Sequence, residues 1–348
     1  MSEAESMPQE RPRQAGLDGH EMSVSRRTFV GALLSLASGT QAQETVDDWP
    51  KRPVRFFVSS TVGSAGDVVC RIIAQQLGER LGQPFVIDNK PAAGGRLAAE
   101  MLARSKPDGY AIGMITTSTH VISKIFEPGL PFDPVKDFAP VSMIGSSPYV
   151  LVVNPGLAVK TVPDLLSFAR SRTQPINNAT YGTNTLGYLV GLRFAQMGGV
   201  EINQVPYRSS AEAVIDVMEG RVQMQFSTLP PAIPLIQAGK LRPIASTGAH
   251  RVDRLSDIPT LAEQGLPGFD VALWIGIAAP AGTPQSIVAK LNEAITAILN
   301  TPESRKALEL QDFVAEPGPP AYLAGRISGD VSLWRDVVAK AGAPSQSR

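Results

Sequence analysis

Apolar and polar residues alternate along the chain in a repeated order of strand, loop and helix. Residues 54–60 form a mostly apolar run of strand length, and residues 67–81 then place Val68, Ile72 and Leu77 on one helical face. The same order continues with a strand at 84–88, a helix at 97–105 and a strand at 110–115. Strand-to-helix units in close succession predict a parallel sheet with helices on its faces.

A second series of strands and helices occupies the middle of the chain. Its predicted strands are 149–153, 179–181, 205–207, 222–227 and 241–247, and its predicted helices are 162–171, 186–197 and 211–219. An extended segment at 272–279 and helices at 284–299, 303–310 and 321–341 follow. The pattern predicts two α/β units, with the C-terminal segment returning to the first. A ligand cleft is expected between them, at the carboxyl ends of the strands.

Small and polar residues lie between strand and helix at two places. The first loop is Thr61, Val62, Gly63, Ser64, Ala65, Gly66 and Asp67, and the second is Gly182, Thr183, Asn184 and Thr185. Because a helix begins with unpaired N–H groups and a partial positive charge, such loops allow an anion to approach closely. We predict that both loops bind one carboxylate. The alternative is that each is a plain connection, with Asp67 as a helix cap.

Other polar residues near the predicted strand ends are weaker candidates for ligand contact. They are Thr116, Thr117, Ser118, Tyr207 and Ser227. Hydroxyl groups also cap helices, and a half-buried strand tyrosine is as good an interpretation of Tyr207. Trp274 lies near the returning segment, where it either packs in the core or forms a wall of the pocket.

Composition and charge limit the classes of function. The chain has 348 residues, and 32 basic residues balance 32 acidic ones, so the basic excess of a nucleic-acid-binding protein is missing. The single cysteine, Cys70, excludes an internal disulfide and is interpreted as a packing residue. His120 and His250 are too far apart for a local metal motif, so we expect no metal. The chain has neither a dinucleotide fingerprint nor a P-loop, so we expect no cofactor. The chain has no hydrolase motif of the Gly-x-Ser-x-Gly or Ser-x-x-Lys kind.

The first 42 residues predict a twin-arginine export signal. Arg26 and Arg27 precede an apolar run at 29–37, and a small-residue segment ends at Ala42. This run is too short to span a bilayer. We expect cleavage near Ala42 and a mature protein in the periplasm. The alternative is a chance arginine pair on a core helix.

Six short segments occur in order along the mature chain. They are 107–110 (PDGY), 130–141 (LPFDPVKDFAPV), 205–207 (VPY), 238–242 (AGKLR), 257–268 (DIPT to GLPG) and 279–284 (APAGTP). Together they resemble the periplasmic solute receptors of tripartite tricarboxylate transporters, the Bug receptor family. The resemblance extends over the whole mature chain.

This resemblance implies a fold, a domain division and a function. The fold is α/β with two domains of the type II, Venus-flytrap kind, and a mostly parallel sheet in each domain. Domain 1 would comprise residues 46–147 plus 270–348, and domain 2 residues 148–269. The function implied is that of a monomeric receptor, without catalytic activity or cofactor, which delivers a small carboxylate to a membrane permease. An exported α/β enzyme and a receptor for a signalling system remain the alternatives.

The chain departs from the family pattern in both loops and in one strand. The first loop replaces two glycines and a hydroxyl residue of the family pattern, although it keeps Asp67, and Gly182-Thr183-Asn184-Thr185 is followed by Leu186 and Gly187. Acidic residues that many relatives have in the strand around Gln223 and Ser227 are missing. An ammonium group needs a carboxylate partner. We therefore expect a mono- or dicarboxylate with an apolar body in preference to an amino acid.

Overall fold

The computed structural model describes residues 48–180, 182, 184–208 and 210–342. The predicted export signal and Thr183 lie outside the described residues. The strands are β1 Val54–Val58, β2 Phe85–Asn89, β3 Ala111–Thr116, β4 Phe138–Pro148, β5 Val150–Val153, β6 Ile176–Thr180, β7 Ile202–Pro206, β8 Met224–Ser227, β9 Arg242–Ser246, β10 Ala272–Pro280 and β11 Val314–Ala315. The helices are α1 Ala65–Leu81, α2 Arg96–Ala103, α3 Ser123–Phe126, α4 Val162–Arg170, α5 Leu186–Gly198, α6 Ser210–Met218, α7 Leu229–Gln237, α8 Gln285–Leu299, α9 Pro302–Glu309 and α10 Pro320–Ala341.

The strands form two sheets, whose strand orders are β11-β4-β10-β3-β1-β2 and β7-β6-β8-β5-β9. We call the first sheet with α1–α3 and α8–α10 lobe 1, and the second sheet with α4–α7 lobe 2. Strand β1 runs parallel to β2 and β3, and β6 runs parallel to β7 and β8, as strand-helix-strand connections require. The predicted α/β class with two sheets is confirmed.

Both sheets are mixed, but most strands of each run in one direction, so the expectation of a mostly parallel sheet in each domain is confirmed. Strand β10 is antiparallel to β3 and β4, and β5 is antiparallel to β8 and β9. The reason is the way in which the chain changes lobes. Strand β4 passes into β5 through Tyr149 alone, and β10 brings the chain back beside β4. Strands that enter a sheet from the other lobe need no crossover helix and run antiparallel to their neighbours. The predicted domain boundaries stay a prediction.

Apolar packing continues from one lobe to the other. Helix α10 of lobe 1 packs with α5 of lobe 2, where Trp334 and Val337 share a buried cluster with Phe194. The side-chain amide of Gln196 in α5 also donates to the carbonyl oxygen of Val337 at 2.8 Å. The lobes are therefore joined by helix packing as well as by their connecting strands.

Within the described part of the chain, no helix has the length and apolar character needed to cross a membrane.

Candidate ligand-binding site

A cavity of about 410 Å³ lies between the two lobes. Lobe 1 lines it with small, hydroxyl-bearing and apolar residues, and lobe 2 contributes residues from the junction of β8 and α7. The lining residues are Ser59, Ser60, Ser64, Ala65, Gly66, Gly94, Met114, Thr116, Thr117, Ser118, Ser147, Leu273, Trp274, Ile275, Gln311, Asp312 and Phe313 of lobe 1, and Thr228 and Pro230 of lobe 2. The volume is of the size that small-molecule sites commonly have.

The start of α1 forms one wall of the cavity. Ser64 is the N-cap residue, and its hydroxyl donates to the carbonyl oxygen of Thr61 at 2.8 Å. Ala65 and Gly66 follow as the first helical residues and line the cavity. A Cβ on Gly66 would lie 2.7 Å from the Cε of Met114, so glycine allows this side chain to pack against the helix start. Three of the first-loop candidates therefore lie at the cavity.

The remaining first-loop candidates do not line the cavity. Thr61, Val62 and Gly63 are exposed, and the side chain of Val62 is 71% exposed. Asp67 is buried behind the loop and accepts hydrogen bonds from the Gly63 N–H at 2.8 Å and from Arg71 Nε at 2.9 Å.

Asp67 also accepts a hydrogen bond from the side-chain amide of Asn89, at 2.7 Å. Burial raises the pKa of Asp67, but the hydrogen bonds from its three donors outweigh burial and hold the pKa below its usual range. Asp67 therefore fixes the shape of the loop, as a capping residue does.

The residues at the end of β3 and directly after it line the cavity together. Thr116, Thr117 and Ser118 all belong to the lining. The Oγ1 of Thr117 accepts the backbone N–H of Trp274 at 3.1 Å, so this hydroxyl also holds β10 beside the end of β3. The indole of Trp274 is buried, and its Nε1 donates to Asp330 at 2.8 Å. Trp274 therefore packs in the core and forms part of the wall as well.

The described residues of the second loop are held by hydrogen bonds within the loop and are not among the lining residues. Thr185 is the N-cap residue of α5, and its hydroxyl donates to the carbonyl oxygen of Gly182 at 2.8 Å. Neither of these two residues nor Asn184 is among the lining residues. Ligand contact by this loop stays a prediction.

Tyr207 and Ser227 are likewise placed away from the cavity lining. The hydroxyl of Tyr207 donates to Asp216 at 2.6 Å, and burial together with this bond raises the pKa of Tyr207 to about 12. Ser227 is buried, and its hydroxyl donates to the carbonyl oxygen of Thr228 at 3.0 Å. Lobe 2 instead reaches the cavity through Thr228 and Pro230.

Several lining residues carry no sequence pattern that indicates a site. Gln311, Asp312 and Phe313 lie far along the chain from both predicted loops. For Thr228 a signal existed, because a threonine followed by a proline near the start of a helix is typical of an N-terminus.

Charge is sparse around the cavity. Among the described residues that line it, Asp312 is the one ionisable side chain. In the described ranges, no three His, Cys, Asp or Glu side chains are grouped to hold a metal ion. A ligand here would be held by hydroxyl groups, backbone N–H groups and apolar contacts.

The lobes and the cavity between them are typical of the bilobal solute-binding proteins. The chain belongs to the tripartite tricarboxylate transporter family receptor (TctC) family, whose model matches residues 69–337. The resemblance found in the sequence is thereby confirmed.

Solved structures similar to this chain include the following three. A periplasmic transporter is 34% identical with a TM-score of 0.68, covering 86% of this chain and 100% of that chain. Rpa4515 of R. palustris, solved with adipate, is 37% identical with a TM-score of 0.68, covering 84% of this chain and 98% of that chain. MatC from Rhodopseudomonas palustris, with bound malate, is 32% identical with a TM-score of 0.65, covering 83% of this chain and 99% of that chain.

Proposed function

We propose that this protein is a periplasmic receptor that binds a small carboxylate with an apolar body in the cavity between its lobes. The observation that carries the proposal is the lining itself, in which a helix start and hydroxyl groups lie beside apolar side chains. Helix N–H groups and hydroxyls stabilise an anion without a basic residue. The relatives solved with adipate and with malate support a carboxylate as the ligand.

The carboxylate is proposed to lie at the start of α1. Ala65 and Gly66 offer backbone N–H groups there, and Ser60 and Thr116 offer hydroxyls. The N–H groups of the first turn of a helix have no partner within the helix, so these donors gain a bond when the anion enters. The second loop, Gly182 to Thr185, is proposed as a further contact to the ligand, which Thr183→Val and Thr185→Val test.

The rest of the ligand is proposed to be apolar. Met114, Leu273 and Phe313 lie in the lining, and burying apolar surface against them favours a hydrocarbon chain or ring. The ammonium group of an amino acid would need a carboxylate partner, and the one carboxylate among the described lining residues, Asp312, is paired with Arg254.

Binding between lobes links the ligand to the shape of the receptor. A ligand that contacts Thr228 of lobe 2 as well as lobe 1 binds the closed form better than the open form. We propose that the closed, loaded receptor is the form that a tripartite tricarboxylate permease accepts. Arg26, Arg27 and the apolar segment after them support export to the periplasm. We propose no catalytic step, no cofactor and action as a monomer.

A thermal-shift screen tests the proposal. Adipate, malate, benzoate, aspartate and putrescine are added to the mature protein, and an acid at a hundredfold excess over its Kd should stabilise it by about 2.7 kcal/mol. Ala65→Leu should abolish the shift because it fills the helix start, whereas Ala297→Leu, on an exposed face of α8, should leave it unchanged.

Thr183→Val and Thr185→Val decide whether the second loop contributes to binding. The proposal is contradicted if putrescine or aspartate stabilises the protein while the simple acids do not.

A further inference from the structure

Asp312 places a negative charge in the wall of a cavity whose proposed ligand is also negative. Its side chain is only 8% exposed, so water screens the charge poorly. A carboxylate brought beside an uncompensated carboxylate in such a site is strongly repelled. A receptor for acids therefore needs a positive charge that balances Asp312.

Arg254 of lobe 2 supplies this positive charge. Its Nη1 lies 2.6 Å from Oδ1 of Asp312, which belongs to lobe 1. Arg254 is held in a short helical turn, Asp253–Leu255, whose Leu255 is buried in the lobe 2 core. The two charged groups are thus attached to different lobes and meet at the edge of the cavity.

The backbone around Asp312 keeps its carboxylate at the wall. Asp312 adopts a left-handed conformation with φ of 60°, which aspartate and asparagine tolerate better than most residues. Its N–H donates to the carbonyl oxygen of Glu309 at 2.9 Å, and the N–H of Phe313 donates to that of Leu308 at 3.0 Å. This turn closes α9 and presents Asp312 and Phe313 together to the cavity.

We propose that Arg254 makes the cavity able to accept an anion, because it neutralises Asp312 when the lobes are closed. When the lobes open, Arg254 separates from Asp312 and the cavity wall becomes negative. The closed form therefore favours an anionic ligand by more than the contacts of the ligand itself contribute. Arg254 is thus a positioning residue that acts through Asp312. The inference rests on the proposed function, since it presumes a carboxylate ligand.

Isothermal titration with adipate, or with malate if adipate does not bind, tests the inference on the wild type and four variants. Arg254→Gln leaves Asp312 uncompensated and should weaken binding about tenfold or more. Asp312→Asn removes the charge that needs balancing, keeps the left-handed turn, and should change affinity by less than about threefold. The double variant should bind like Asp312→Asn. Arg254→Lys keeps the charge and should recover most of the affinity.

The control is Arg251→Gln, which breaks an ion pair with Glu263 inside lobe 2 whose partners are 47% and 46% exposed. It should leave the affinity unchanged. A weaker affinity in Asp312→Asn than in Arg254→Gln would mean that Asp312 contacts the ligand. Equal losses of affinity in Arg254→Gln, Asp312→Asn and the double variant would mean that the ion pair only holds the two lobes together. Either result overturns the inference while the proposed function stands. A wild-type protein that binds no acid overturns both.

Discussion

Replacing Asp67 by alanine should destabilise the protein strongly, because this buried carboxylate satisfies three donors around the first loop. It accepts the N–H of Gly63 at 2.8 Å, the amide of Asn89 at 2.7 Å and Nε of Arg71 at 2.9 Å. All three bonds are part-buried, although Gly63 itself is an exposed residue. The side chain of Arg71 is 48% exposed and regains water when its bond is lost. Most of the effect should therefore come from Gly63 and Asn89.

The magnitude follows from these two bonds. A hydrogen bond to a charged group contributes about 1.5–3 kcal/mol, and the half-exposed arginine adds no more than about 1 kcal/mol. We expect Asp67→Ala to lower the free energy of unfolding by about 3–5 kcal/mol. Asp164→Ala is the matched control, since Asp164 accepts the N–H groups of Lys160 and Thr161 at the start of α4 but is exposed. The free energy of unfolding of Asp164→Ala should fall by about 1 kcal/mol.

Urea unfolding followed by circular dichroism at several pH values provides the measurement. The pKa of Asp67 is lower in the folded protein than in the unfolded chain, so its stabilisation is present above pH about 4 and is lost as pH falls through the folded value. The difference between wild type and Asp67→Ala should narrow in that acid range. A loss below about 1 kcal/mol at pH 7, or a difference that does not change with pH, would refute this account of the loop.

Three further predictions concern single residues. Gly145→Ala places a Cβ 2.5 Å from the carbonyl oxygen of Val314, so it should lower the free energy of unfolding by about 1–3 kcal/mol in urea titration, and an unchanged midpoint would contradict the packing described. Tyr207→Phe removes the bond to Asp216 and should cost about 1 kcal/mol while adipate affinity stays the same; a fall in affinity would show that Tyr207 contacts the ligand. Burial raises the pKa of Cys70, so its thiol should react with a disulfide reagent only on unfolding, and rapid labelling of the folded protein would disprove this.

Hydrophobic periodicity is sufficient to predict the strand-to-helix units. Strand β4 and helix α7 are not predicted, because their prolines interrupt the expected pattern. Strand β4 contains Pro140 and lies between two neighbours, although proline normally argues against a central strand. The structure accommodates it because the register of β10 against β4 shifts between Ile277 and Ala278, directly beside Pro140. Helix α7 contains three prolines, two of them in its first turn, where no N–H is needed. Both elements therefore lacked the pattern expected of a strand or a helix.

The cavity could be predicted only where its lining is local in sequence. Ser64, Ala65 and Gly66 lie at a helix start that follows a buried strand, a pattern visible in the chain itself. Asp312 and Phe313 reach the cavity because α9 and its closing turn pack against a sheet formed by distant segments. No pattern of neighbouring residues predicts that Asp312 and Phe313 line the cavity. Their position depends on tertiary packing alone.

The position of β10 inside its sheet has a consequence for biosynthesis. During translation, β3 and β4 emerge early, but the strand that must lie between them is among the last to be made. Until then each presents an open edge of N–H and C=O groups to other polypeptides. A nascent chain that stops short of residue 272 is therefore expected to aggregate through these open edges, and the edges close only after β10 has left the ribosome.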